Sequence, residues 1–105
     1  MTNITKNNKL NLWIQEIADK TMPDKIVLVD GSDKQTAMLK ELANGATNFY
    51  SGKVMYVVPY LNGNDKGVLI TQKISAVLDT IEKHSVNKTA LESIENSGCF
   101  IKNML

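Results

Sequence analysis

The sequence contains no arginine: all 12 of its basic residues are lysine. Arginine supplies the planar, bidentate fork that phosphate and carboxylate sites favour, whereas lysine binds the same groups as a point charge. The absence argues against a specialised oxyanion site, although abundant lysine and asparagine are also typical of an AT-rich genome. The net charge of +1 gives no electrostatic basis for binding nucleic acid or an anionic membrane.

Cysteine, histidine and long apolar runs are also scarce. The single cysteine, Cys99, excludes an internal disulfide and a cysteine-rich metal site. The single histidine, His84, leaves too few ligands for a histidine-based metal centre, and no cofactor is expected. No apolar run is long enough to span a bilayer, and the polar N-terminal residues do not form a signal peptide. These features predict a reduced, cytoplasmic setting without a membrane partner.

The length of 105 residues predicts one domain with one modest core. Residues 1–8 are polar and are predicted to form a flexible tail, which leaves residues 9–105 for the domain. Apolar residues at helical spacing predict four helices, over about residues 9–21, 32–43, 71–85 and 87–97. Trp13 lies on the apolar stripe of the first helix and is predicted to be part of the core.

The most strand-like stretch is residues 52–61, GKVMYVVPYL, an apolar run typical of a strand buried on both faces. Pro59 cannot donate to a ladder, so we expect the strand to leave the sheet there. Residues 26–29 predict a parallel partner reached through a helix, and residues 68–70 an antiparallel partner across a loop at 61–67. Residues 99–101 predict a short edge strand. The expected fold is α/β with an α+β tendency, a mixed sheet of three to four strands and about four helices in the order α-β-α-β-β-α-α-β.

The tripeptide Asp30-Gly31-Ser32 follows the first strand and precedes a helix, which is the arrangement at which phosphates bind. One interpretation is therefore an anion site. The other is a capped turn, in which the Ser32 hydroxyl accepts the amide hydrogen of Gln35 and Gln35 reaches back. The single glycine, the missing Lys-Ser/Thr pair and the negative charge of Asp30 favour the capped turn.

No catalytic set emerges from the other polar residues. His84 is expected at a helix C-terminus, as a surface or capping residue. Cys99 is expected to be a half-buried structural thiol, and no two carboxylates are forced together as an acid–base pair. Tyr56 and Tyr60 share one side of the central strand, so they could line a pocket, an interface or the core.

Three blocks, in order along the chain, carry a resemblance to a known family. The first is residues 10–43, LNLWIQEIADKTMPDKIVLVDGSDKQTAMLKELA, and the second is GKVMYVVPY at residues 52–60. The third and weaker block spans residues 68–105 and includes ALESIENSGCFIKNM. Together they resemble the N-terminal part of GTP-dependent phosphoenolpyruvate carboxykinase. The second block is similar to the family's strand Gly-Arg-Thr-Met-Tyr-Val-Ile-Pro-Phe, with Lys53 and Val54 in place of arginine and threonine.

The resemblance implies a framework without the family's active site. The family carries a nucleotide P-loop, a manganese site of lysine, histidine and aspartate, and substrate-binding arginines, none of which has a counterpart in these 105 residues. The family's arginine-bearing substrate loop would fall between Tyr50 and Gly52, where this chain is shorter. No catalytic residue therefore carries over to this sequence, and the absence of arginine agrees with this.

These observations lead us to expect a protein that is not an enzyme and that binds another protein. It would regulate a full-length carboxykinase or inhibit an unrelated macromolecule, as small proteins of phages and mobile elements do. The alternative is a small-molecule module that binds a carboxylate or nucleotide at the Asp30–Ser32 turn or beside Tyr56, with charge from Lys25, Lys34 and Lys53. An independent enzyme has the weakest support, because no base and no electrostatic stabiliser can be identified.

The edges of the predicted sheet suggest where a partner would bind. We expect either Val68 and Ile70 or the Phe100-Ile101 pair at an exposed edge, which invites pairing with a second strand. Tyr50, Tyr60, Val68 and Ile70 form the predicted interaction surface. The sequence therefore predicts a homodimer or a form bound to another protein.

Overall fold

The computed structural model describes residues 4–45, 52–97 and 99–104, and within these ranges it has four helices and four strands in the predicted order. The helices are α1 (Asn8–Thr21), α2 (Asp33–Ala43), α3 (Ile74–Lys83) and α4 (Lys88–Glu95). The strands are β1 (Lys25–Leu28), β2 (Val54–Asn62), β3 (Asp65–Thr71) and β4 (Ile101–Met104). The predicted α/β class with a mixed sheet is confirmed.

The strand order β1-β2-β3-β4 makes β2 and β3 the central strands of the described sheet. β2 pairs parallel with β1 and antiparallel with β3, and β4 pairs parallel with β3. The parallel pair through a helix and the antiparallel hairpin are both confirmed. The edge expected at Val68 and Ile70 is wrong, because β4 covers that side of β3. The short edge strand expected at residues 99–101 is present, but it begins only at Ile101 and runs to Met104.

The hairpin between β2 and β3 is tighter than the loop predicted over residues 61–67. Asn62 pairs with Asp65, so only Gly63 and Asn64 turn the chain. Gly63 has φ of 64°, which suits the first position of a type II′ turn. The prediction failed because the polar residues on both sides of the turn lie in strand, at the hairpin tip.

Pro59 lies within β2 and pairs with Val68, so the expectation that the strand leaves the sheet there is wrong. The Val57 carbonyl accepts a hydrogen bond from Val29 at 2.8 Å, and Leu61 exchanges two hydrogen bonds with Ser85. Val57 and Leu61 thus direct their backbone polar groups away from β3, and Pro59 shares their orientation because strands have a period of two. The proline nitrogen therefore faces the gap beyond the end of β1, where no ladder bond is lost.

The sheet separates two hydrophobic clusters, because alternate residues of each strand face opposite sides. One cluster lies between the sheet and helices α1 and α4, and Trp13 is buried in it as predicted. The other lies between the sheet and helices α2 and α3. The strand residues of the first cluster are Met55, Val57, Val68 and Ile70, and those of the second are Val27, Tyr56, Val58, Tyr60 and Leu69, with Val29 just after β1.

Packed contacts begin N-terminal to residue 9, within the segment predicted as a tail. The buried side chain of Asn7 caps α1, since its Oδ1 accepts from the Leu10 amide at 3.0 Å. Its Nδ2 donates to the carbonyls of Ile94 at 2.7 Å and Ser97 at 2.8 Å. One side chain thus starts α1 and joins it to the end of α4.

We predict that Asn7→Ala lowers the free energy of unfolding by about 2–3 kcal/mol, because it removes a cap and both hydrogen bonds that join α1 to the end of α4. Asn87 also caps a helix, through the Ala90 amide at 2.9 Å, but makes no such cross-link among the hydrogen bonds of the described residues. The matched variant Asn87→Ala should therefore cost only about 1 kcal/mol. Urea unfolding measures both values, and equal losses would contradict the cross-linking role of Asn7.

Candidate functional site

The Asp30–Ser32 turn is a capped turn, and its geometry is set by hydrogen bonds within the chain. The Ser32 hydroxyl accepts from the Gln35 amide at 3.3 Å, and Gln35 Oε1 accepts from the Asp30 amide at 2.9 Å. Gln35 Nε2 also donates to the Leu28 carbonyl at 3.1 Å. The Ser32 amide donates to the carboxylate of Asp30 at 2.9 Å. Gln35 therefore reaches back as predicted, but to Asp30 and Leu28 instead of Ser32.

These bonds weigh against an anion site at the turn. The amides of Asp30, Ser32 and Gln35 already donate to side chains of the turn. The Asp30 carboxylate occupies the place where an anion would meet the Ser32 amide. Gly31, with φ of 73°, packs against the backbone of Val86, and a Cβ at this position would overlap the Val86 carbonyl oxygen. The turn thus packs against the segment that connects α3 to α4.

Tyr56 does not join the turn to form one site. It is buried in the cluster under α2 and α3, and it pairs with Val27, three residues before Asp30. Three residues of strand span about 10 Å. Of the lysines expected to supply charge, Lys25 and Lys53 are neighbours, with the Lys25 amide 3.3 Å from the Lys53 carbonyl, whereas Lys34 lies on α2, after the other end of β1. The predicted ligand-binding residues are therefore not brought together.

The predicted interaction surface is largely inaccessible. Val68 and Ile70 are buried beneath α1 and α4, and Tyr60 is buried on the other face of the sheet. Their prediction as surface residues is wrong because helices cover both faces of the sheet at these positions. Tyr50 lies outside the described residues.

Tyr60 is instead the centre of a polar contact that joins three elements. Its ring stacks on His84, the C-cap of α3, with ring centroids 5.0 Å apart, and its hydroxyl accepts a hydrogen bond from Asn103 of β4. Gly67 of β3 lies beneath the ring, where a Cβ would overlap it. His84 is thus a capping residue as expected, and its buried Nδ1 has no partner among the described groups. The cluster holds β4 and α3 against β2.

A surface groove of about 450 Å³ lies between α1 and the start of β4, and we call it the β4 groove. Trp13 and Phe100 form its base, with ring centroids 6.1 Å apart, and the Lys102 Nζ lies 5.7 Å from the Trp13 ring centroid. Leu12 and Cys99 lie on its rim. Cys99 is exposed, so the expectation of a half-buried thiol is wrong.

A second cavity of about 480 Å³ lies at the end of the sheet where β2 begins and β3 and β4 end. Lys20, Lys53 and Lys73 line it, and we call it the lysine cavity. Sequence reasoning missed it because these lysines are far apart along the chain. Only the strand order, which no local pattern reveals, brings them to one place.

No protein-family model matches the chain. Across the described residues, no three histidine, cysteine, aspartate or glutamate side chains are close enough to hold a metal ion. Among the helices of the same residues, none has the length and apolar character needed to cross a membrane.

We predict that Gly31→Ala lowers the free energy of unfolding by at least about 3 kcal/mol, because left-handed strain adds to overlap with the Val86 backbone. Gly63 has a similar φ of 64° but open space around it. The matched variant Gly63→Ala should therefore lose only about 1 kcal/mol. Thermal or urea unfolding of both variants tests this, and a loss at Gly31 no larger than that at Gly63 would refute the packing role.

Proposed function

We propose that the protein is non-catalytic and acts by binding an extended segment of another protein along β4. The observation that carries this proposal is the exposure of all four β4 residues, with Ile101 50% and Met104 60% exposed. In the described sheet β4 has a neighbour on one side only. Its other side offers backbone donors and acceptors with which an added strand pairs.

The β4 groove supplies side-chain contacts for such a strand. Leu12, which is 61% exposed, lies in this groove with Trp13 and Phe100. A strand beside β4 points every second side chain toward the helix side of the sheet. The groove therefore suits a segment with an apolar residue facing Leu12 and a carboxylate facing Lys102.

A different protein fits this edge better than a second copy does. An antiparallel two-fold pairing centred on Lys102 would place two ammonium groups directly opposite, which is destabilising. Centring the pairing on Asn103 avoids this but leaves Ile101 without a partner from the opposite β4. The homodimer is therefore the less favoured form of the predicted interaction.

The placement of the charged side chains supports a binding role over a catalytic one. The ion pairs in the described part of the chain join exposed residues one helical turn apart, and such pairs contribute little to stability. These pairs are Lys20–Glu16 at 3.7 Å, Lys83–Asp79 at 3.2 Å and Lys88–Glu92 at 3.9 Å. The His84 ring packs on Tyr60 instead of facing a carboxylate.

The resemblance of the sequence to phosphoenolpyruvate carboxykinase supplies the first partner to test. A protein that imitates one region of an enzyme competes for the surfaces that this region contacts in the enzyme. We accordingly propose regulation of a full-length carboxykinase as one version. The other version is inhibition of an unrelated macromolecule.

The test compares the proteins captured from native cell lysate by the wild-type chain and by surface variants. We expect Leu12→Glu and Lys102→Glu each to reduce recovery of a stoichiometric partner by about tenfold or more. The first places a negative charge in the apolar part of the groove, and the second reverses the charge of the groove lysine. Met22→Glu and Lys40→Glu make the same changes at exposed positions that do not line the groove, Met22 being 72% exposed. These two controls should keep the partner.

Direct binding is then measured with the purified partner, after circular dichroism shows that every variant is folded. Equal recovery with all variants, or no protein above background, would overturn the proposal. Purified carboxykinase distinguishes the two versions. Altered kinetics or co-elution supports the regulator, whereas unchanged kinetics and hydrodynamics remove it.

A further inference from the structure

The lysine cavity concentrates positive charge on a protein whose net charge is only +1. Lys20 comes from the end of α1, Lys53 from the residue before β2, and Lys73 from the N-cap of α3. Glu16 approaches Lys20 at 3.7 Å, but both side chains are exposed and the attraction is screened. Asp24 accepts from the Lys53 amide at 2.7 Å, so it offsets part of the charge. Among the described residues, no carboxylate side chain lines the cavity itself.

Thr71 and the start of α3 also line this cavity. Thr71, only 1% exposed, accepts a hydrogen bond from the Lys73 amide at 2.9 Å and so fixes the position of the residue that begins the helix. The start of α3 adds to the attraction of the lysines, since Lys73 provides no side-chain cap and the helix dipole is positive at that end.

The remaining wall of the cavity is apolar. Ile17, Met55, Ile70 and Met104 line it. A volume of about 480 Å³ lies within the usual range for sites that hold small molecules. A bare inorganic ion would leave these apolar side chains in contact with water, whereas a molecule with an apolar body would bury them.

We propose that the lysine cavity binds a small carboxylate-bearing molecule with an apolar body. The carboxylate lies among the three lysines near the start of α3, and the apolar body packs against Ile17 and Met55. Lysines act here as point charges without the fork of arginine, so the site selects charge and shape more than exact carboxylate geometry. This site shares Met104 with β4 but is otherwise formed by other elements, and its test does not require a protein bound at the β4 edge.

Benzoate is the probe, because it combines a carboxylate with a compact apolar ring. Benzyl alcohol is a neutral molecule of similar shape, and inorganic phosphate is an anion without an apolar body. Amide chemical shifts of the ¹⁵N-labelled full chain are followed during titration with each. We expect saturable shifts with benzoate at Lys53, Thr71 and Lys73, and binding at least about tenfold weaker for the other two probes.

Variants distinguish specific binding in the lysine cavity from non-specific attraction of benzoate to any exposed lysine. Lys53→Gln combined with Lys73→Gln should weaken benzoate binding by about tenfold or more, and Lys40→Gln, a lysine outside the cavity, by less than about twofold.

Three results would overturn the proposal. They are equal affinity for benzoate and benzyl alcohol, shifts spread over lysines outside the cavity, and no saturation up to about 20 mM benzoate. Leu12→Glu and Lys102→Glu should leave benzoate binding unchanged. Failure of the anion site and failure of the protein-binding edge are thus distinguished by separate measurements.

Discussion

The structure depends on burying both faces of β2 while keeping both of its edges paired. Met55, Tyr56, Val57 and Val58 are all buried, and burial of a side chain of this kind contributes about 1.5–3 kcal/mol. Their sum is comparable with the total stability of about 5–15 kcal/mol that is usual for a small domain. Two apolar faces require two layers of helices, and the parallel partner β1 requires the crossover that α2 provides. The positions of the other elements follow from this strand.

Features that depend on neighbouring residues could be predicted from the sequence. The helices follow from the spacing of apolar residues, and Ser32 and Asn87 cap their helices as the side-chain chemistry requires. The run at β2 indicated a doubly buried strand. Strand order could not be predicted in the same way, because it is set by contacts between distant segments. Val68 and Ile70 were therefore predicted at an edge, although β4 covers β3.

The candidate sites also differ in whether they depend on neighbouring residues or on contacts between distant segments. The capped turn at Asp30–Ser32 is a local structure, and its capping groups, Ser32 and Gln35, could be identified from the six consecutive residues 30–35. The lysine cavity and the contact between Tyr60 and Asn103 join residues at least 20 positions apart, and they exist only because of the order of the strands. Pro59 shows the same limit. The missing hydrogen-bond donor of Pro59 could be predicted from its residue type. The sequence did not show that β1 ends before it reaches the position opposite Pro59.

The shortness of β4 has a consequence for association through an exchange of identical segments. β4 has four residues and one neighbouring strand, so its release disrupts far less structure than global unfolding does. Release uncovers the edge of β3 at Val68 and Ile70, which is then complementary to β4 of any other copy of the chain. A strand-swapped dimer can thus form without a new interface, because each β4 makes its native contacts in the other molecule. The single tryptophan, Trp13, contacts Phe100 just before β4, so its fluorescence would report the release of β4, whereas the swapped dimer restores this contact and differs from the monomer in mass.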